Sequence, residues 1–221
     1  MDSALAGLVD GASVMINGFG GAGTPISLIK GLAACGAGDL TLIANSLRYV
    51  EAYAPEMFVH RRVRQAITTA ARAPGRDTAN FERQWLDGDL AIEVVPQGTF
   101  VERMRAGGAG IAAFFTPTAA GTALAEGKEM REFDGKPYIL EHALKADFAL
   151  LRASRADRWG NLSLRGTQGN FGPSMAMAAR TTVVEVDELV DEPIPPAEVG
   201  LPGIFVQRVI VLPDLRDGRQ S

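Results

Sequence analysis

Short apolar runs recur along the chain between glycine-rich or polar breaks and stretches of helical periodicity. Ser13–Ile16 reads as a strand, a glycine loop follows, and Ile26–Ala34 has the spacing of a helix. Leu40–Ala44 and Val63–Thr69 are further apolar runs of strand length. Phe81–Leu86 reads as helix, Leu90–Val95 as strand and Phe100–Arg105 as helix. The middle then changes character. Glu132-Phe133-Asp134-Gly135-Lys136-Pro137-Tyr138-Ile139 predicts a β-hairpin closed by an Asp-Gly turn. Phe148–Arg152 follows as a strand, and Asp157–Asn161 is a polar turn into Leu162–Leu164. Pro173–Ala179 reads as helix, Thr181–Val186 as strand and Ile204–Val211 as the last strand. Strands alternating with helices predict an α/β fold: an open, mainly parallel sheet with flanking helices and a β-hairpin insertion. No internal repeat is visible, and the proline-rich stretch 193–202 reads as a loop. One domain is expected over residues 1–212, with a polar tail at 213–221.

Composition narrows the picture. Hydrophobic residues make up 47% and charged residues 22%, enough for a well-buried core. The 25 glycines cluster at Gly18–Gly23 and Gly107–Gly110, which predicts tight backbone turns. The net charge of −4 and the shortness of the one basic run, Arg61-Arg62-Val63-Arg64, argue against a nucleic-acid surface. That run reads as a solvated helix end. Cys35 is the only cysteine, which excludes a disulfide framework and fits small core filler. No apolar run reaches membrane-spanning length and no signal pattern opens the chain, so a soluble cytoplasmic protein is expected.

Several chemically suggestive residues have plain readings. His60 and His142 are the only histidines, with no G-x-S-x-G segment to join, and read as surface or hydrogen-bonded structural residues. Glu185, Asp187, Glu188, Asp191 and Glu192 read as a solvated acidic face rather than a metal site, since no histidine accompanies them. Trp85 and Trp159 read as packing residues, Trp159 equally as buried against a partner chain.

The glycine loop Gly18-Phe19-Gly20-Gly21-Ala22-Gly23 fits G-x-G-x-x-G between a strand and a helix. Such a loop brings backbone close to a ligand, and helix-terminal N–H groups attract anions. A nicotinamide dinucleotide also needs an acid after the second strand to hold ribose hydroxyls. Asp39 precedes that strand, which ends in Asn45-Ser46. A turn facing a phosphate or thioester fits the residues better, with a purely structural turn as the plain alternative.

Asn17-Gly18-Phe19-Gly20-Gly21-Ala22-Gly23-Thr24-Pro25 resembles the G-G-F-x-x-x-G-x-P signature of family I coenzyme A transferases, in their A-type chain, with Asn17 in place of the first glycine. Asp39–Asn45, Val95-Pro96-Gln97-Gly98-Thr99, Arg105–Gly110, Phe115-Thr116-Pro117-Thr118 and Glu126-Gly127-Lys128-Glu129 resemble the same family, in order. So do Ala146–Leu150, Asp157–Leu162, Asn170-Phe171-Gly172-Pro173 and Pro202–Arg208, so the resemblance spans about residues 9 to 212.

The resemblance implies the A subunit of a 3-oxoacid, 3-oxoadipate or acetate–acetoacetate CoA transferase. In such enzymes a glutamate carboxylate attacks the acyl-CoA to give a mixed anhydride. CoA thiolate attacks the anhydride to give an enzyme thioester, and an incoming acid reverses the sequence. That glutamate lies in the B subunit, in a Ser-Glu-Asn-Gly setting absent from this chain. The resemblance therefore implies no catalytic residue here, a B-subunit partner in an A2B2 tetramer, coenzyme A as substrate rather than bound cofactor, and no metal. It also implies that Asn17, Gly18, Phe19, Gly20, Gly21, Ala22 and Gly23 face CoA, and that Asn45, Ser46, Gln97, Gly98 and Asn170 lie near the acid. An amide donates hydrogen bonds to a carboxylate without adding charge. The chain departs from the family at Ser46, at Ala119-Ala120 where Gly-Tyr or Gly-Val is common, and at Gly169 where arginine is usual. If they face the substrate, these changes give a roomier, less charged wall. Two alternatives stand beside transfer: a CoA-thioester hydrolase or ring-opening subunit of the same superfamily, and an NAD- or sugar-phosphate-binding module.

Overall fold

The structure is a computed structural model that describes residues 3–71 and 78–213. The tail expected over 213–221 lies outside the described residues from 214 onward. The first half alternates strands and helices: β1 (Ser13–Ile16), α1 (Ile26–Ala34), β2 (Leu40–Ser46), α2 (Leu47–Tyr53), α3 (Glu56–Val59), β3 (Val63–Ala70), α4 (Asn80–Asp87), β4 (Ala91–Val94) and α5 (Gln97–Ala109). A small antiparallel sheet follows, made of β5 (Ala113–Thr116), β6 (Met130–Phe133) and β7 (Lys136–His142) in the order β5-β7-β6. The chain then returns through β8 (Ala146–Asp157), β9 (Leu162–Ser163), α6 (Gly172–Ala178), β10 (Ala179–Val190) and β11 (Arg208–Val211).

The main sheet runs β11-β10-β8-β1-β2-β3-β4 with every neighbouring pair parallel, and β9 adds antiparallel to β8. Both faces are buried, which is why its strands are almost uninterrupted apolar runs. Alternate residues feed two cores. Val14, Ile16, Leu42 and Ala66 pack with Leu28, Leu32, Val50, Phe58 and Phe81 from the first four helices. Met15, Ile43, Ile67 and Ala149 pack with Phe100, Met104 and Met175 from α5 and α6.

β1 and α1 have the expected bounds, and the Asp134-Gly135 hairpin is present, with positive φ at both residues. Other expectations needed adjustment. The predicted helix at 100–105 runs from Gln97 to Ala109, and the strands at 148–152 and 181–186 each lengthen to twelve residues. The long pairing of β8 with β10, from Ala146–Ala179 to Asp157–Val190, sets those lengths. The last strand is only Arg208–Val211, because Gly203–Phe205 forms a short 3-10 helix after Pro202. β5, α2 and α3 carried no clear periodic signal. Gly107 and Gly108 lie inside α5 rather than in a turn. A Cβ at Gly107 would stand 2.4 Å from the Leu144 carbonyl oxygen, and one at Gly108 2.6 Å from Met177 Cβ. Of that cluster, Gly110 supplies the left-handed turn that ends the helix.

Candidate functional site

Going from β1 to β4 the chain moves steadily across the sheet, and β8 then lands on the opposite side of β1. That reversal puts the topological switch point at the C-terminal ends of β1 and β8, the edge where open parallel sheets bind ligands. The glycine loop occupies this position. Phe19 and Ala22 exchange two backbone hydrogen bonds, at 3.0 and 2.9 Å, around Gly20-Gly21. Both glycines have positive φ, at 56° and 88°, as the tight two-residue turn requires.

Two amides clamp this loop. Asn17 Nδ2 donates to the carbonyls of Gly23 at 3.3 Å and Gln168 at 3.1 Å. Asn170 Nδ2 donates to the carbonyls of Ala22 at 3.1 Å and Thr167 at 2.7 Å, and its Oδ1 accepts from the Phe171 N–H. Both side chains thus hold the loop's shape, Asn17 from a buried position and Asn170 from an exposed one. Phe19 stands half-exposed on the loop, edge-on to Phe171 at 6.2 Å. Asn17 Oδ1 and Thr24 Oγ1 are buried with no hydrogen-bond partner among the described residues. Both residues line a cavity of about 10 Å³ with Asn45, Ser46 and Tyr49, a size that admits about one water.

The helix after the loop is closed to phosphate at its N-terminus. Glu185, on β10 and fully buried, accepts from the Leu28 N–H in the first turn of α1 at 2.9 Å. Its other oxygen accepts from Arg152 at 3.0 Å, and Arg152 also pairs with Asp187 at 2.6 Å. Burial pushes the Glu185 carboxyl above the ordinary glutamate range, outweighing the opposing N–H and Arg152 contacts. At the other end of α1, Arg62 donates to the carbonyls of Leu32 at 3.1 Å and Ala37 at 2.7 Å. The helix dipole is matched at both ends from within the chain. Two expectations are corrected here. Glu185 is not on a solvated acidic face, and Arg62 of the basic run is a half-buried cap. Asp39 pairs with Arg64 at 3.1 Å just ahead of β2, so it does not stand at the C-terminal end of that strand, where a dinucleotide needs its ribose-binding acid.

Beside the loop, the ends of β2 and β3 and the start of α5 assemble an amide cluster. Asn45 Oδ1 accepts from Gln97 Nε2 at 2.9 Å and from Thr69 Oγ1 at 2.8 Å. The Thr68 and Thr69 hydroxyls also lie within hydrogen-bond reach of the Asn45 carbonyl, at 3.1 and 2.9 Å. Asn45 is 9% exposed, while Gln97 and Gly98 open α5 in the solvent-facing mouth. Ser46 spends its hydroxyl on α2, accepting from the Arg48 N–H at 3.3 Å. The structure therefore brings Asn45, Gln97 and the loop to one sheet edge, with Ser46 as a cap and Asn170 as a clamp. Thr69 and Tyr49 were not singled out from the sequence. Tyr49 lies 3.7 Å from where a Cβ on Gly21 would stand. Neither residue carries a local signal, because each acts through a neighbour distant in the chain.

The remaining candidates stay outside this site. His60 and His142 are exposed. Cys35 is exposed at the end of α1 rather than in the core, its thiol donating to the Leu32 carbonyl at 3.1 Å. Trp85 and Trp159 are 42% and 49% exposed, so neither is a core packing residue; Arg158 lies over the Trp159 ring at 4.3 Å. Asp157 organises its own turn. Burial alone would raise its pKa, but the Asn161 side chain and the N–H groups of Ile194, Asn161 and Trp159 together hold it below the usual range. Among the described residues no helix is long and apolar enough to cross a membrane.

The family model described as Coenzyme A transferase matches residues 1–212. The A subunit of the 3-oxoadipate CoA-transferase of Pseudomonas putida is 47% identical over 211 residues, covering 95% of this chain and 90% of that protein. The A subunit of the succinyl-CoA:3-ketoacid coenzyme A transferase of Xanthomonas campestris pv. campestris is 46% identical, covering 95% and 86%. Among solved structures, a variant of the decarboxylase AibA/AibB aligns with a TM-score of 0.80 at 28% identity, over 96% of this chain and 81% of that one. Glutaconate coenzyme A-transferase from Acidaminococcus fermentans shares the fold, with a TM-score of 0.80 at 18% identity over 96% and 73%. With a matching model over nearly its whole length, and a sheet-edge site where the family signature was recognised, the chain belongs to the coenzyme A transferase family.

Proposed function

We propose that the chain is the A subunit of a cytoplasmic A2B2 CoA transferase, folded as one domain over residues 1–212. The complex moves CoA from succinyl-CoA or acetyl-CoA to a short-chain 3-oxoacid. The nucleophile is a glutamate carboxylate of the B subunit. It attacks the acyl carbon and expels CoA thiolate, leaving an acyl-glutamyl anhydride. The thiolate then attacks the glutamyl carbonyl, releasing the donor acid and forming a glutamyl-CoA thioester. The acceptor carboxylate reverses both steps, and the glutamate is regenerated.

In this scheme the chain supplies a wall. The glycine loop presents backbone N–H groups and the exposed Phe19 ring toward CoA. Asn45 and Gln97 meet the acid's carboxylate. The observation that carries the reading is the amide pair at the C-terminal edge of the sheet, beside the loop. Neutral donors hold a carboxylate there without an ionic clamp that would compete with the nucleophile. Similarity to two A subunits named for 3-oxoacid transfer favours 3-oxoadipate and acetoacetate as first acids to test. The fold alone does not choose the reaction, since a decarboxylase shares it.

The test is co-expression with a B-type chain carrying Ser-Glu-Asn-Gly, followed by CoA-transfer assays with succinate, acetate, acetoacetate and 3-oxoadipate. Transfer by the complex and none by the chain alone is expected. Equal activity of the chain alone would overturn the split site, and hydrolysis without transfer would favour a thioesterase.

A further inference from the structure

We infer that Thr69 is a positioning residue for the acid-binding amide: with Gln97, its hydroxyl fixes the Asn45 carboxamide so that Nδ2 faces the substrate. The inference rests on the proposed role of Asn45 and extends it to a residue at the end of β3. A carboxamide end has an acceptor side and a donor side, and they interchange by rotation. An asparagine that is to bind a carboxylate must be held donor-outward, because its oxygen would repel the same ligand.

The donor assignments fix that orientation. Asn45 Oδ1 receives Thr69 Oγ1 at 2.8 Å and Gln97 Nε2 at 2.9 Å, which fills both lone pairs. Thr69 has one proton and two acceptors within reach, Oδ1 and the Asn45 carbonyl at 2.9 Å. The shorter contact is to Oδ1, and the fully buried Thr68 hydroxyl, 3.1 Å from the Asn45 carbonyl and 3.3 Å from the Ala70 carbonyl, can serve the Asn45 carbonyl in its place. Among the described residues nothing accepts from Asn45 Nδ2. Asn45 is 9% exposed as a residue and lines the small cavity beside the glycine loop, so its unspent donor lies at a nearly enclosed edge. Gln97 lies at the exposed start of α5 and cannot fix the rotamer alone, whereas Thr69 is half-buried on a strand whose backbone is paired on both sides.

The pairing of β2 with β3 builds this arrangement. Ala44 faces Thr68 and Ser46 faces Ala70, so Thr69 lies level with Asn45 across the ladder. A slip of one residue would turn its hydroxyl to the opposite face.

The experiment compares Thr69→Val, Thr69→Ser and Asn45→Ala in the co-expressed complex, by steady-state kinetics with the acid varied and then the acyl-CoA varied. Thr69→Val keeps the shape and removes the proton. It should raise KM for the acid about five- to tenfold while leaving kcat and the acyl-CoA KM within about twofold, the scale of one hydrogen bond. Thr69→Ser should restore the wild-type acid KM, and thermal unfolding of all three complexes guards against a purely structural effect. Wild-type kinetics in Thr69→Val, with Asn45→Ala impaired, would overturn the inference. So would equal impairment in Thr69→Val and Thr69→Ser. If Asn45→Ala itself leaves the acid KM unchanged, the proposed acid site fails, and the role of Thr69 fails with it.

Discussion

Gly23 is the point where the loop, its two amide clamps and the segment before α6 converge, so a methyl group there tests the site's construction. Its φ is +72°, and an added Cβ would lie 2.7 Å from the Gln168 carbonyl oxygen, 3.0 Å from Asn17 Nδ2 and 3.2 Å from Asn170 Nδ2. Gly20, three residues earlier, has a φ of +56° and nothing within 4 Å of an added Cβ. Gly20→Ala therefore carries only the left-handed backbone cost, about 1–2 kcal/mol. Gly23→Ala carries the same cost and a collision. If the loop stays, overpacking adds about 1–3 kcal/mol. If it retreats, the Asn17–Gly23 and Asn170–Ala22 hydrogen bonds are lost, at about 1 kcal/mol each. Either route makes Gly23→Ala less stable than Gly20→Ala by about 1–3 kcal/mol, with each kcal/mol lowering Tm by about 2–4 °C. Thermal and denaturant unfolding of the two variants measures this difference directly. Identical midpoints for Gly23→Ala and Gly20→Ala would refute the clamp.

Ala119 is a half-buried non-glycine residue at φ 68° in a turn, so Ala119→Gly should stabilise the chain by about 1 kcal/mol, read as a higher denaturant midpoint at unchanged slope. Gly107→Ala gains about 1 kcal/mol of helix propensity but drives a methyl to 2.4 Å from the Leu144 oxygen, against a segment tied to α5 by the 2.8 Å Leu144–Arg103 bond; a net loss of about 1–2 kcal/mol is expected, and an unchanged or raised midpoint would contradict it. Glu185 has a pKa raised by burial above the ordinary 4.5, so its folded form holds the proton more tightly than the unfolded one. Its contribution to stability is full below that value and declines as pH rises through the raised pKa. Urea midpoints followed upward from pH about 4.5 should thus fall faster for wild type than for Glu185→Gln, and parallel curves would exclude it.

Much of the fold was legible because local physics repeats along the chain. The β1–loop–α1 unit has the expected bounds, since an apolar strand, a run of glycines and a period-3.6 helix each announce themselves within a few residues. The hairpin at Asp134-Gly135 is equally local. Clustered glycines were ambiguous. Those at 20 and 21 make the expected turn, while Gly107 and Gly108 let α5 approach Leu144 and Met177, partners some 37 and 69 residues away. Within the acidic group, Asp187, Glu188, Asp191 and Glu192 are exposed as expected, and only Glu185 departs, because its burial depends on α1 and Arg152, which no window around residue 185 contains.

The sequence by itself determined the alternation of strands and helices, the turn chemistry of the glycine loop and, through its ordered motifs, the coenzyme A transferase family. Tertiary structure alone decided what each polar group does once the strands are in register. It placed β8 against β1, which set the switch point at the loop, and it made Asn17 and Asn170 clamps on that loop. It filled the N-terminus of α1 with the carboxylate of Glu185, and it aligned Thr69 with Asn45. The physical reason is range. Dihedral preference and periodicity act over a few residues and are written locally, whereas a hydrogen-bond partner is chosen by which strands pair, and that choice is made by burial of the whole sheet.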